Sequence, residues 1–296
     1  MAHNKITPCT RLGFIGLGHL GSRIARRLRT AGFPMTVFNR DRDKTKELES
    51  LGADVAPDPR KLADHVDVVL SCVPDRAAVE NVYLGPAGVL RTARPGTLII
   101  EMSTVAPETS RLLYQSAQEF GVSMLDVAVS GSTVVAEAGA LTLLGGGDRE
   151  LFEASTPIFA AIAKQWFYMG PSGSGVAMKL VVNTLLGLGM QAVAEAVAFG
   201  SKLGLPREAL FDTLAKTAVV SPVQAAKLAT AKQNDYAPQF PVRLMDKDFR
   251  LILDAAAQVH LSMPATEAAA AINSAEAAVG GDEDFSAVIR RMEQAA

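Results

Sequence analysis

Short apolar runs over residues 12–15, 35–38, 66–73, 97–101 and 122–127 predict β-strands. Between them, apolar residues recur three and four apart, which predicts helices. Ile24, Leu28 and Ala31 share one face of the first helix, and Gly32 stops it. Pro107 suits the first turn of a helix running to residue 120. Residues 141–144, with Gly145-Gly146-Gly147 after them, and residues 166–169 predict strands that close the same sheet. Strand and helix in alternation imply a mostly parallel sheet with helices on both faces.

From Gly173 to about residue 202 the pattern becomes one long helix, GSGVAMKLVVNTLLGLGMQAVAEAVAFGSK, spanning roughly 45 Å at ~1.5 Å per residue. Such a helix is either a membrane span or the central rod of a globular protein. Lys179, Asn183, Gln191 and Glu195 fall within one half of its helical wheel, which argues for the rod. Further helices are expected over residues 208–219, 222–230, 247–259 and 264–279, with a short one in FSAVIRRMEQ. The fold class is therefore an α/β Rossmann-type dinucleotide-binding domain followed by an all-α C-terminal domain, joined by a long interdomain helix. Pro171-Ser172-Gly173 marks the boundary, giving domains 11–171 and 172–296.

Composition excludes more than it assigns. The 296 residues carry a formal net charge of −2, so no global basic field exists for nucleic acid or an anionic membrane. The N-terminal MAHNKITPCTR lacks an apolar signal core, which implies a cytoplasmic protein. Cys9 and Cys72 are far apart and read as free thiols. His3, His19, His65 and His260 show no ligand spacing, so no metal is expected.

Candidate chemistry begins at Gly16-Leu17-Gly18-His19-Leu20-Gly21, between the first strand and the first helix. Strand, G-x-G-x-x-G, helix is the context a dinucleotide fingerprint requires. Gly16 serves the tight turn, Gly18 the approach of a pyrophosphate, and Gly21 the packing of helix on strand. The second strand ends at Asn39-Arg40. Asn39 lacks the carboxylate that would repel a 2′-phosphate, and Arg40 can pair with one, so NADP(H) is preferred over NAD(H). Ligands bind beyond the carboxyl ends of strands in open parallel sheets. Val73-Pro74, Ser103-Thr104 and Ser130-Gly131-Ser132 should thus share one rim with the glycine loop. Lys179 and Asn183, four apart, share a helix face. In isolation that pair is more often a snorkelling lysine and a satisfied amide than a catalytic pair.

Taken together, these segments resemble the β-hydroxyacid dehydrogenases, the short relatives of 6-phosphogluconate dehydrogenase that include 3-hydroxyisobutyrate dehydrogenase. FIGLGHLGSRIARRL with Asn39-Arg40 resembles the cofactor fingerprint, DVAVSGS the substrate loop, GSGVAMKLVVN the catalytic segment, and MDKDFRL the family's K-D-L-x-L segment. The ending GGDEDFSAVI leans toward the glyoxylate/succinic semialdehyde reductases. Ala128 and Ser132 depart from the usual proline and glycine of the substrate loop. Ser132 is expected to narrow the pocket or add a hydroxyl to it.

The resemblance implies interconversion of a short carboxylate-bearing aldehyde and its hydroxy acid by hydride transfer. It makes Lys179 the acid/base. A free lysine pKa of ~10.4 is too high for that task, and burial beside a second cation, Lys247, lowers it. Asn183 binds or orients the substrate oxygen. Ser130, Gly131 and Ser132 receive the carboxylate, and Lys247 lies near it or the nicotinamide ribose. Gly16 to Gly21, Asn39, Arg40, Val73, Pro74, Ser103 and Thr104 hold the cofactor. The partners implied are a small molecule and copies of the chain, as homodimer or homotetramer. An imine reductase shares the fold, but there Asp or Tyr commonly replaces the lysine. A catalytically silent NADP-binding interaction module is the rival from another class, and Lys179, Asn183 and Lys247 weigh against it.

Overall fold

The computed structural model of the chain describes residues 6–295; His3 and the first residues of the N-terminal segment lie outside them. The chain divides into two compact units, Met1–Lys179 and Leu180–Ala296.

The first unit is built on eight strands: β1 (Leu12–Ile15), β2 (Met35–Phe38), β3 (Asp54–Val55), β4 (Val68–Ser71), β5 (Leu98–Glu101), β6 (Ser123–Ser130), β7 (Leu141–Gly147) and β8 (Ala163–Gly170). They form one sheet in the order β3-β2-β1-β4-β5-β6-β7-β8. β3 to β6 are parallel, β7 runs antiparallel to β6, and β8 is parallel to β7. Every residue of β1, β4 and β5 is buried, because helices cover both faces of a parallel sheet. The helices of this unit are α1 (Gly21–Thr30), α2 (Lys46–Ser50), α3 (Pro59–Ala63), α4 (Arg76–Leu84), α5 (Pro107–Glu119), α6 (Thr133–Glu137), α7 (Arg149–Ala154), α8 (Thr156–Ile162) and the start of α9 (Ser174–Lys202). One face of the sheet packs around Phe14, Leu28, Val37 and Leu70. The other packs around Ile15, Val69, Tyr83 and Ile99.

β3 is not among the expected strands, and β6, β7 and β8 are longer than expected. β7 includes Gly145, Gly146 and Gly147, which the sequence places after the strand. A Cβ on Gly145 would lie 2.1 Å from the Phe152 ring, and one on Gly146 2.8 Å from Asp126 Oδ1. Close packing on the strand, and not a turn, demands these glycines. β6 runs on to Ser130 because residues 125–130 pair with β7.

The second unit contains the rest of α9, then α10 (Arg207–Leu214), α11 (Pro222–Lys232), α12 (Val242–Gln258), α13 (Pro264–Gly280) and α14 (Val288–Ala295). α12 begins five residues earlier than the pattern suggests. Pro241 is its N-cap, and Asp284 fixes the preceding loop by accepting from the Gln239 and Phe240 backbone N–H groups, both at 3.1 Å. The buried Lys227 ammonium neutralises Asp284 at 2.7 Å. α9 is long and apolar enough to cross a membrane by length and composition, with a mean hydropathy of 1.5. Its Asn183 and Gln191 are nevertheless buried among protein atoms.

Candidate active site

The glycine-rich turn is shaped by close approach. Gly16 has φ +95°, and a Cβ there would lie 2.3 Å from the Cys72 carbonyl oxygen. A Cβ on Gly21 would lie 2.0 Å from the Gly16 oxygen. Gly18 is different: a Cβ there would meet no protein atom within 4 Å. Two glycines are thus required by the protein's own packing, and the third is explained by a ligand that approaches the backbone. No side chain caps the start of α1, and its first turn holds no acidic residue. That end suits an anion. These residues fit a dinucleotide. Beside them is a groove of ≈ 280 Å³ whose lining includes Leu17, Gly18, His19 and Lys44. Leu20 packs partly against the core.

Asn39 does more than omit a carboxylate. Its Oδ1 accepts from the Leu17 N–H at 2.9 Å, and its Nδ2 donates to the Asp41 carbonyl at 2.8 Å. It therefore ties the glycine loop to the end of β2. Arg40 is exposed and makes no ion pair among the described residues. Of the nearby acids, Asp43 pairs with Lys46 at 2.7 Å and Glu47 with Arg26 at 3.4 Å, while Asp41, next to Arg40, accepts from the Asp43 N–H at 3.1 Å.

The glycine loop, Val73-Pro74 and Ser103-Thr104 all follow the carboxyl ends of parallel strands on one edge of the sheet. Ser130-Gly131-Ser132 does not share their level, which corrects the single-rim expectation. Asp126 pairs with Glu101, so Ser130 projects four residues, roughly 13 Å, beyond the end of β5. Pairing of Ser130 with Thr142 supports that projection. Gly131 has φ +145°, and a Cβ there would press on Leu141 and Val135 at 2.8 and 2.9 Å. The Ser132 hydroxyl is the N-cap of α6, accepting from the Val135 N–H at 3.4 Å. Capping accounts for a serine at this position and leaves its O–H proton to donate elsewhere.

Beneath the rim runs a buried polar row. Ser71, Glu101 and Asp126 are register partners on β4, β5 and β6 and face the same side. Glu101 Oε1 accepts from the Ser103 N–H at 2.8 Å and from the Ser71 hydroxyl at 3.3 Å. Ser71 in turn accepts from the Tyr83 hydroxyl at 2.6 Å, and Ser103 Oγ accepts from the Val73 N–H at 2.9 Å. Burial pushes the Glu101 carboxyl up to about 7, and the Asp126 charge adds to it, against the hydrogen bonds from Ser103 and Ser71. Burial likewise raises Asp126 despite its backbone N–H donors.

Asp126 seats the start of α9. Its two oxygens accept from the Gly173 and Val176 N–H groups at 2.8 and 3.0 Å. A Cβ on Gly175 would lie 2.5 Å from both the Asp126 and Leu144 carbonyl oxygens. The glycines of GSG thus let the helix end rest on β6 and β7. Lys179 follows Val176 by three residues and is half-buried.

In the second unit, Asn183 Nδ2 donates to Asp248 Oδ2 at 2.5 Å. Gly187 makes this possible by admitting α12, since a Cβ there would lie 2.4 Å from the Phe249 ring. Asn183 Oδ1 is buried and has no hydrogen-bond partner among the described residues. Lys247 Nζ lies 3.0 Å from Asp248 Oδ1, a charge contact away from the hydrogen-bonding direction. Phe240 rests edge-on against Phe285, with ring centroids 5.6 Å apart.

Comparison with known proteins gives this arrangement a context. Residues 11–170 match the NAD binding domain of 6-phosphogluconate dehydrogenase, and residues 173–292 match the NAD-binding family of NADP-dependent 3-hydroxyisobutyrate dehydrogenase. The chain belongs to the β-hydroxyacid dehydrogenase family. It is 35% identical to 2-(hydroxymethyl)glutarate dehydrogenase of Eubacterium barkeri, over 96% of this chain and 95% of that one. It is 36% identical to glyoxylate/succinic semialdehyde reductase 1 of Arabidopsis thaliana, over 94% and 96%. Among solved structures, Mycobacterium tuberculosis 3-hydroxyisobutyrate dehydrogenase with L-serine superposes with a TM-score of 0.87 at 30% identity, covering 96% of this chain and 99% of that one. As a member of this family the protein is an oxidoreductase with a nicotinamide dinucleotide-binding domain.

Sequence reasoning passed over Glu101 and gave Asp126 no part of its own. Glu101 closes an apolar run and reads as a strand end; only the register that sets it beside Ser71 and Asp126 exposes its role.

Proposed function

We propose that this family member interconverts a short carboxylate-bearing aldehyde and its hydroxy acid, with NADP(H) as the preferred cofactor. The observation that carries the reading is Asn183, one helical turn from Lys179. Its amide is anchored by Asp248, while its Oδ1 is a buried acceptor that no group among the described residues satisfies. A buried orphan acceptor costs about 1–3 kcal/mol, so such a group is retained where a ligand donates to it. NADP(H), when bound, supplies or accepts the hydride. Lys179 Nζ gives its proton to the carbonyl oxygen as the alcohol forms, and takes it back in the reverse direction. Asn183 Oδ1 accepts from the hydroxyl of the hydroxy acid, and Asp248 positions Asn183. The Ser130 hydroxyl and the Gly131 N–H receive the substrate carboxylate, with Lys247 as its counter-charge. Both named relatives act, by their names, on carboxylate-bearing compounds, which supports this substrate class.

The test is oxidation of NADPH and NADH with glyoxylate, succinic semialdehyde, tartronate semialdehyde, methylmalonate semialdehyde and a cyclic imine. Turnover of an acidic aldehyde is expected. Turnover of the imine alone would replace this reading with imine reduction, and cofactor binding without turnover would favour the silent module.

The cofactor preference rests on the exposed guanidinium of Arg40 and the amide of Asn39. Arg40→Glu is expected to weaken NADPH by tenfold or more, about 1.4 kcal/mol, and to leave NADH within about twofold. Equal losses for both cofactors in a binding titration would remove the argument for a 2′-phosphate contact.

We also propose a cytoplasmic homodimer or homotetramer that has neither nucleic acid nor membrane as a partner. On α9, Val181, Leu185 and Phe199 recur on one side of the helix, roughly opposite Asn183, and Leu203 follows just past its end. They are 55%, 72%, 67% and 65% exposed. An apolar stripe of that length calls for a cover, and a second copy supplies one. The double variant Leu185→Glu, Phe199→Glu is expected to sediment as a monomer where the parent does not.

A further inference from the structure

The mechanism above makes no use of Glu101, the buried carboxylate of the first unit that burial holds near neutrality. Its surroundings can be named completely. Ser71 faces it from β4, Tyr83 from α4 through Ser71, Asp126 from β6, and Ser103 from the loop after β5. Asp126 and Tyr83 are the titratable members. Burial and the Glu101 charge raise the Tyr83 hydroxyl well above its ordinary value, so Tyr83 stays a neutral donor. Glu101 Oε2 is buried without a partner.

Through Ser103, this one carboxylate holds both Ser103 and Val73, the backbone of the two loops that follow β4 and β5. We propose that Glu101 is a proton-linked positioning residue for the cofactor, favouring the oxidised, positively charged nicotinamide over the neutral reduced ring. The inference rests on the reading above, that these loops flank the nicotinamide.

The physical argument is electrostatic. Glu101 sits beside a second carboxylate, in an interior that screens charge poorly, so its own charge is costly there. A cation brought to the loops above it offsets that cost and shifts Glu101 toward the ionised form. The proton leaves Oε2 for solvent, and no other bond changes. By linkage, a cation that promotes ionisation binds more tightly where the ionised form dominates. A neutral ring has no such effect. The ratio of the two affinities should therefore change as pH rises through about 7, the value of the buried carboxyl. Asp126 places the device next to the seat of α9, the helix that bears Lys179.

The experiment uses the full chain without substrate. Dissociation constants of NADP+ and NADPH are measured from pH 6 to 8.5, with NAD+ and NADH alongside, and proton release on binding is followed with an indicator dye. Taking the ratio for each pair removes the titration of the 2′-phosphate, which both redox forms share. The expected result is that the ratio moves in favour of the oxidised form by up to about tenfold as pH rises, with that form releasing more protons than its reduced partner. In Glu101→Gln the ratio is expected to be flat, because the amide oxygen still accepts from Ser103 and Ser71 while no proton can be lost. Glu101→Ala, which unties the loops, is expected to weaken both forms. A pH-independent ratio in the parent protein overturns the proposal, whatever the variants do. So does a Glu101→Gln protein that keeps the parent's pH dependence. Failure of every nicotinamide cofactor to bind would instead sink the cofactor reading, and the proposal with it.

Discussion

Replacing Lys179 with methionine is expected to lower turnover of an acidic aldehyde by about 10²- to 10⁴-fold, the range that positioned acid/base groups contribute. Methionine keeps an unbranched apolar stem of similar length and removes only the proton-carrying end. The start of α9 should be unaffected. It is seated by Gly173, Gly175 and the Asp126 carboxylate, none of which the substitution touches. Cofactor affinity should therefore stay within about twofold, since the phosphate cradle lies in the turn before α1. The loss should appear in kcat and kcat/KM together, as expected for a group that acts in the transition state. The limb of the pH–rate profile that reports the lysine should disappear with it. A variant that binds cofactor normally and turns over at the parental rate would remove Lys179 from the chemistry. One that loses cofactor binding as well would show that the side chain acts in the architecture of the site. Asn183→Ala supplies a contrast. It vacates an anchored amide and takes from the buried Asp248 the hydrogen bond to its Oδ2. Its effect should thus include a fall in the stability of the second unit, which Lys179→Met should not show.

What the sequence reveals here, and what it hides, follows from the range of the forces involved. Gly16, Gly18 and Gly21 are legible because their spacing is set within one turn, and the structure gives Gly16 and Gly21 steric reasons of their own while Gly18 faces open space. Lys179 and Asn183 are legible as a pair because helical periodicity puts them on one face. Ser132 is misleading by itself. A hydroxyl in a substrate loop suggests a ligand, whereas the backbone three residues on claims it first. Gly145 and Gly146 mislead in the opposite sense. They resemble a turn, yet the pressure that selects them comes from the Phe152 ring and the Asp126 carboxylate across the sheet. The early start of α12 depends on Asp284, more than forty residues downstream, holding Gln239 and Phe240. Asp248 stands in the same relation to Asn183, 65 residues away. For α12 and for Asn183 the deciding contact is distant in sequence, and no local pattern records it.

Glu101 is the extreme instance of that rule, and it carries the second large expectation, a fall in stability as pH rises from about 4.5 to about 7. Its free value is 4.5 and its folded value about 7, so between those limits the native state holds a proton that the unfolded state has lost. Stability from this group is complete below about 4.5 and is lost as pH rises through the folded value. At ~1.4 kcal/mol per unit, the full swing is on the order of 3 kcal/mol. Asp126, also raised, acts in the same direction at lower pH. Surface carboxylates with basic partners act the other way. The hydrogen bonds with Arg11 and Arg290 hold Asp67 and Glu283 below their ordinary values, and their contribution is lost as pH falls. The pH curve of the parent protein alone would mix these effects, whereas a difference isolates Glu101. Glu101→Gln keeps the bonds to Ser103 and Ser71, adds a fixed cost for an unpartnered buried amide, and cannot ionise. In thermal melts without cofactor, its melting temperature relative to the parent should therefore rise from pH 5 to about pH 7 and level off above it, by several degrees at ~2–4 °C per kcal/mol. A gap that stays constant across that range would mean that Glu101 ionises in the folded protein as it does in water. The proton linkage proposed for the cofactor would then have no source.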